Sequence, residues 1–321
     1  MHVAVTDLQL EKNGLTVLQI PELTFPSGST TAIFGPNGSG KTTLLRVIAG
    51  LEQPERGEVR LSGLRVGKTG RPRQVAMAFQ NAVFVRGSVR HNLDLALRLR
   101  EVAPRERTSR IEEAAGECGV AHLLDRPARR LSAGEAQRVN LARVLALRAP
   151  VTLLDEPLAG VDRLVRTQLL DELPKLLARF TATTILVTHD REEAFRLAGR
   201  LVVLVAGEVK AAGDKGTVYA QPPDRATAQL LGYTVLPHDG RLLAVPPGGL
   251  WLGDEAPSFT LVVEQVIDMG HHLHVVGRIE NERVDIRLPV GMSPPLVSSH
   301  LRVQAGSGAV TLGGQAAARL G

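Results

Sequence analysis

From Thr30 to about Val209 the chain alternates short apolar runs with longer amphipathic stretches. That rhythm predicts an α/β architecture, a parallel sheet wrapped in helices. Strands are predicted at Thr30–Phe34, Val75–Ala78, Val151–Leu154, Thr184–Val187 and Leu201–Val205. Between about residues 88 and 131 no strand-like run occurs. The Arg- and Glu-rich stretch RLREVAPRERTSRIEEAAGECGVAHLLDR predicts an α-helical insertion there. After Gln221–Pro223 the pattern changes again, to short β segments broken by Gly and Pro. These fall at Leu242–Val245, Phe259–Val266, Leu273–Ile279 and Val284–Leu288. Two domains are therefore expected, 1–232 and a β-rich 233–321.

Composition narrows the function classes. A chain of 321 residues, 44% hydrophobic and 22% charged, can bury two cores and is not a disordered polymer. No apolar run approaches the ~20 residues of a membrane-spanning helix. The N-terminal MHVAVTDLQLEKNG lacks the basic-then-apolar pattern of a secretion signal. The single cysteine, Cys118, excludes an intrachain disulfide and fits a reducing compartment. A soluble cytosolic protein is expected. The net charge of +5 raises the question of nucleic acid. Its basic groups are scattered, however, and one Trp, two Tyr and seven Phe can scarcely build a stacking platform. No nucleic-acid partner is expected.

GPNGSGKT, Gly35–Thr42, fits the phosphate-loop pattern G-x-x-x-x-G-K-[ST]. It follows a predicted strand and precedes a predicted helix, Lys41–Ala49, which closes at Gly50. The backbone of Gly35, Pro36, Asn37, Gly38, Ser39 and Gly40 can wrap a polyphosphate, whose charge the N–H groups and helix N-terminus attract. Lys41 would reach the β- and γ-phosphates, and Thr42, followed by Thr43, would ligate Mg²⁺. In VTLLDEP, Val151–Pro157, a buried strand delivers Asp155 and Glu156 to its C-terminal end, where α/β proteins bind ligands. Asp155 suits a Mg²⁺ shell and Glu156 a general base acting on water. Alone, such an acidic pair reads equally well as a solvated loop. In LSAGEAQR, Leu131–Arg138, Ser132 and Glu135 form a capping box, and Val139, Ala142 and Leu145 continue a helix.

Lying between the phosphate loop and VTLLDEP, LSAGEAQR resembles the L-S-G-G-Q signature of the ATP-binding cassette (ABC) ATPases. Three further segments match that family in order. Gln80 in AFQ matches the loop that senses Mg²⁺ and the transport subunit. Asp162 in PLAGVD matches the loop that crosses the dimer interface. His189 in VTHD matches the switch histidine that contacts the γ-phosphate. The resemblance covers about residues 3–232 and implies a P-loop NTPase cassette with a helical subdomain, using ATP and Mg²⁺. It implies catalytic roles for Glu156, His189 and Gln80, and metal contacts for Thr42, Gln80 and Asp155. Nucleotide contacts are implied for the phosphate loop, for Asp162 and for Ser132, Ala133, Gly134 and Glu135. The last four would act across a head-to-tail dimer. Three departures stand out. Ala133 replaces a glycine, Gly160 and Val161 are uncommon before Asp162, and LEKNGLT lacks the aromatic that commonly stacks on adenine.

The tail, with GYTVLP, LLAVPP and FTLVVEQVIDMGHHLHVVGRI, resembles the all-β OB-like (TOBE-like) regulatory domain of many importer ATPases. RPARRLSAGE also lacks the acidic stretch that exporters carry before the signature. An importer ATPase is thereby implied, with a second cassette (a homodimer), separate permease subunits and an extracytoplasmic solute-binding protein as partners. The helical insertion, especially Phe84–Val89, would meet the permease, and the chain would sit peripherally on the cytoplasmic face of the membrane. TAIFG, FVRGSVRHNL and the missing aromatic are most similar to molybdate and tungstate importers. Polyamine, ferric iron and sugar importers share the layout and stay open, as do an exporter and a soluble ABC ATPase. His271, His272 and His274 invite a metal reading, but strand alternation predicts that His271 points away from the other two. Cys118 reads as a small packing residue.

Overall fold

The computed structural model describes residues 1–66, 73–289 and 291–312. The chain divides into two units, one from Met1 to Lys215 and one from Gly216 onward. The expected boundary after residue 232 lies inside the second unit.

The first unit opens with β1 (Val3–Lys12), β2 (Leu15–Phe25), β3 (Thr30–Phe34), α1 (Lys41–Ile48), β4 (Arg56–Leu61) and β5 (Leu64–Arg65). Next come β6 (Val75–Ala78), α2 (Val89–Leu99), α3 (Pro104–Glu117) and α4 (Ala133–Leu145). It closes with β7 (Val151–Asp155), α5 (Arg163–Phe180), β8 (Thr183–Thr188), α6 (Arg191–Leu197), β9 (Arg200–Val205) and β10 (Glu208–Asp214). All five predicted strands lie in one sheet of order β10-β9-β3-β8-β7-β6, parallel except for β10. β7 and β8 are buried along their whole length, which is why they show no alternation of apolar and charged residues.

A second, antiparallel sheet, β2-β1-β4-β5, has no counterpart among the predicted strands. A bulge hides it. Val3 and Val5 alternate inward, then the pairing with β4 shifts between Thr6 and Gln9, and Asp7 adopts a left-handed φ of 48°. The extra residue returns Leu8 and Leu10 to the buried face out of step with a strict period of two. Helix α1 lies between the sheets, where Leu44, Leu45 and Ile48 join Val5, Ile33 and Leu153 in one core. The helical insertion consists of α2, α3 and two 3₁₀ turns, packed on α4. Cys118 is buried within it, and burial pushes its thiol up to about 12.

The second unit carries α7 (Lys215–Ala220, its first residue at the boundary) and α8 (Arg225–Leu230) before an all-antiparallel β domain. Its strands are β11 (Thr234–His238), β12 (Arg241–Val245), β13 (Leu250–Leu252), β14 (Ser258–Asp268), β15 (His272–Ile279), β16 (Glu282–Pro289), β17 (His300–Ala305) and β18 (Val310–Leu312). Sheets β11-β12-β18 and β13-β17-β14-β15-β16 close on a single core, as in an OB-like domain. The histidine expectation needs correction. β15 begins at His272, so His271 belongs to the preceding turn and alternation does not govern it. Its ring lies 4.5 Å from that of His272, which is 6.4 Å from that of His274. Among the described residues no group of three or more His, Cys, Asp or Glu is arranged to hold a metal ion. No helix among them is long and apolar enough to cross a membrane.

Candidate active site

β3 runs directly into the phosphate loop at the C-terminal edge of the parallel sheet. Two of its glycines are sterically required. A Cβ at Gly35 would stand 2.0 Å from the Leu204 carbonyl oxygen. Gly40 has φ of 95°, and a Cβ there would stand 2.7 Å from Leu18 Cδ2. Gly40 caps α1 with no side-chain hydrogen bond, and the first turn of the helix contains no acidic residue. The first amides of α1 are thus left for an anion, with the helix dipole behind them. Beneath them the Ser39 hydroxyl is buried with no hydrogen-bond partner. The Lys41 ammonium is held by the loop itself, donating to the carbonyls of Gly35 at 2.9 Å and Pro36 at 2.8 Å. Burial lowers its pKa, and Glu156 and Asp155 nearby oppose that shift. A buried cation, unpaired amides and a tight glycine turn together fit a polyphosphate.

The acidic groups arrive from β7, two strands away. Asp155 is buried and accepts from Thr42 Oγ1 at 2.8 Å. Burial raises its pKa against the lowering effect of that hydrogen bond. Glu156 has φ of 43°, a left-handed conformation costly for a non-glycine residue, pinned by its N–H donating to Val187 O at 3.0 Å. This turn brings its carboxylate into contact with two other candidates. Oε2 accepts from Gln80 Nε2 at 2.9 Å, and Oε1 lies 3.0 Å from His189 Nδ1. A cavity of about 560 Å³ opens over the loop, lined by Asn37, Gly38, Gly40, Lys41, Thr42, Thr43, Gln80, Glu156 and His189, with Val17 at its rim. Thr42 and Asp155, already in contact, are the pair suited to a divalent cation.

Ser132, Ala133, Gly134, Glu135 and Asp162 do not line this cavity. They sit at the N-termini of α4 and α5, which abut: a Cβ on Gly134 would lie 3.4 Å from Val165. The expected capping box is formed in both directions, with Ser132 Oγ accepting from Glu135 N–H and Glu135 accepting from Ser132 N–H. These bonds to Ser132 hold the Glu135 carboxyl below its usual range. Asp162 Oδ1 caps α5, accepting from Leu164 and Val165 N–H at 3.1 Å each.

Two residues not singled out in the sequence support the site. Lys12 pairs with Glu52 at 2.5 Å and donates to Thr43 Oγ1 at 3.4 Å. Arg166, one turn after Asp162, pairs with Asp190 at 2.8 Å and Glu193 at 3.1 Å, on either side of the turn that follows His189. The four-residue spacing from Asp162 was the only local hint of the second.

Comparison with known proteins shows the family. The ABC transporter family model matches residues 18–159. A sulfate/thiosulfate import ATP-binding protein, CysA of Nocardia farcinica, is 35% identical over 286 residues, covering 85% of this chain and 86% of the relative. The chain belongs to the ABC transporter family. Within it, the relatives place the chain among the ATPase subunits of importer type. The sn-glycerol-3-phosphate import ATP-binding protein UgpC 2 of Agrobacterium fabrum is 42% identical over 214 residues. That match covers 66% of this chain and 57% of the relative's length. Among solved structures, a dimeric bacterial ABC transporter cassette, MJ0796, has a TM-score of 0.60 and 26% identity, covering 66% of this chain and 98% of that one.

Proposed function

We propose that this ABC protein hydrolyses ATP as one half of a cassette dimer and thereby drives solute import through separate permease subunits. One observation carries the reading: Glu156 held between Gln80 and His189 above the Lys41 and Thr42–Asp155 pocket. With ATP in place, Lys41 exchanges the Gly35 and Pro36 carbonyls for the β- and γ-phosphate oxygens. Thr42 and Asp155, with Gln80 beside them, would hold Mg²⁺, whose charge would offset that of the phosphoryl group. Glu156 takes the proton of the attacking water, while Gln80 and His189 fix its carboxylate and His189 faces the γ-phosphate. Ser132 and the Gly134 N–H, at the dipole-positive end of α4, meet the nucleotide of a second copy, with Asp162 beside them. ATP thus glues the dimer, and hydrolysis releases it.

The permease would dock at a cavity of about 830 Å³ that includes Phe84, Val85, Arg86 and Arg129. The chain is then peripheral on the cytoplasmic face, and a solute-binding protein acts through the complex from the other side. The two relatives are named for sulfate/thiosulfate and for sn-glycerol-3-phosphate. Sulfate, a phosphate ester, molybdate and tungstate all present tetrahedral oxyanions, and a solute of that class is the reading we adopt. Within it, TAIFG and FVRGSVRHNL favour molybdate or tungstate. The test reconstitutes the whole complex and compares ATPase stimulation by binding protein loaded with tungstate, sulfate, glycerol phosphate or a neutral sugar. Oxyanion-selective stimulation is expected; stimulation by the sugar alone contradicts the class.

A further inference from the structure

Helix α4 begins at the segment that faces a second copy and then passes behind this chain's own catalytic edge. Gln137, Asn140 and Arg143 recur every three residues along it, so they share one side of the helix. All three reach backbone around the catalytic carboxylate. Gln137 Nε2 donates to the carbonyl of Pro157, the residue after Glu156. Asn140 is fully buried and donates through Nδ2 to the Phe79 carbonyl at 3.1 Å. Its Oδ1 accepts from Arg143 at 2.7 Å. The other arm of Arg143 donates to the Val83 carbonyl at 2.7 Å, and its guanidinium lies 5.0 Å from the centre of the Phe84 ring. Phe79 and Val83 bracket Gln80, the residue that grips Glu156.

Arg143 is the unexpected member. It is half-buried, burial lowers its pKa, and no ion pair with a described carboxylate accompanies it. A guanidinium partly desolvated without a counter-charge has a cost that an apolar chain in its place would avoid. What an apolar chain cannot supply is the fork that ties α4 to the Gln80 segment.

We propose that Arg143 and Asn140 are positioning residues that couple the two nucleotide sites of the dimer, an inference that rests on the ATPase reading above. When Ser132 and Gly134 engage the partner's nucleotide, α4 shifts, and the two bonds carry the shift to Phe79–Val83 and so to Gln80 and Glu156. Occupancy of one site thereby sets the geometry of the water-activating group in the other, which is positive cooperativity.

The test is the ATP-concentration dependence of hydrolysis by the full chain. Wild type is expected to show a Hill coefficient approaching about 2, the number of coupled sites. Arg143→Met keeps an unbranched stem of about the length of the arginine's aliphatic part and removes both donors. Its Hill coefficient is expected to fall to about 1, with kcat about 10- to 100-fold lower as for a misplaced catalytic group. Binding of a fluorescent ATP analogue should be unchanged. Arg143→Lys, a single point donor in place of a fork, should fall between the two. If Arg143→Met loses its cooperative melt, the decision passes to Asn140→Asp, which keeps the volume and removes the donor to Phe79. A folded Arg143→Met or Asn140→Asp with the wild-type Hill coefficient overturns the coupling, as does a wild-type coefficient of 1. A wild-type chain that does not hydrolyse ATP overturns the ATPase reading itself, and that result appears before any variant is made.

Discussion

His189 and Glu156 meet side chain to side chain, Nδ1 to Oε1 at 3.0 Å, while the second oxygen of the same carboxylate accepts from Gln80. A base gripped at both oxygens cannot rotate away from a water placed above it. Removing one grip should therefore act on turnover more than on binding. His189→Ala is expected to lower kcat by about 10²- to 10⁴-fold, the range for loss of a positioned acid–base partner, with KM for ATP little changed. Steady-state kinetics at saturating Mg²⁺ check this.

Lys41 behaves differently, because it is buried under the phosphate loop and bonded to loop carbonyls. Lys41→Met should fold, since it removes a desolvated charge, but it also removes the cation meant for the β- and γ-phosphates. The expected outcome is a rise in the dissociation constant for ATP of about 10- to 100-fold, from the roughly 1.5–3 kcal/mol of a charge-assisted hydrogen bond. Calorimetric titration with nucleotide measures it directly.

Asp155 gives a dependence on pH. Burial raises its folded pKa above the unfolded value, so between the two values the folded chain keeps a proton that the unfolded chain has lost. Unfolding free energy from this group therefore falls as pH rises through that interval, and the cost persists at neutral pH. Asp155→Asn keeps an Oδ1 acceptor for Thr42 and removes the charge. Without nucleotide the variant should be more stable than wild type at pH 7, the difference shrinking as pH falls toward about 4, and it should not hydrolyse ATP. Denaturant titrations across that range check the sign. Equal stability at every pH would contradict it.

Cys118 is buried in the helical insertion with its thiol pushed up to about 12, so almost no thiolate is present near neutrality. Alkylation by iodoacetamide at pH 8 should be negligible in the native chain and complete in denaturant. Rapid native labelling would show that the insertion opens readily.

The parallel strands and the phosphate loop were legible because both signals are local. β7 and β8 are buried along their whole length around the apolar runs Leu153–Leu154 and Ile185–Val187, and Gly35–Thr42 needs no distant residue to be recognised. The β1–β2–β4 sheet was not legible, because the bulge at Asp7 breaks the alternation that would announce a strand. α7 and α8 carry no compositional break before residue 216, which left the unit boundary out of reach of pattern alone. In the site, Gln80, Glu156 and His189 each stood out as motif residues, but nothing in their spacing says that one carboxylate bridges the other two. Lys12 on Thr43, Arg166 on Asp190 and Arg143 on Val83 join chain segments that only the packing of sheets and helices brings together.

The most direct measurement is ATP hydrolysis and assembly by the purified chain and its Glu156→Gln variant, each followed by phosphate release and by size-exclusion chromatography with Mg-ATP. Wild type should release phosphate steadily. The variant, which keeps the shape of the side chain and loses the base, should fall by about 10²- to 10⁴-fold and accumulate as an ATP-bound dimer. A Glu156→Gln variant that turns over at the wild-type rate would contradict the assignment of Glu156 as the group that activates water.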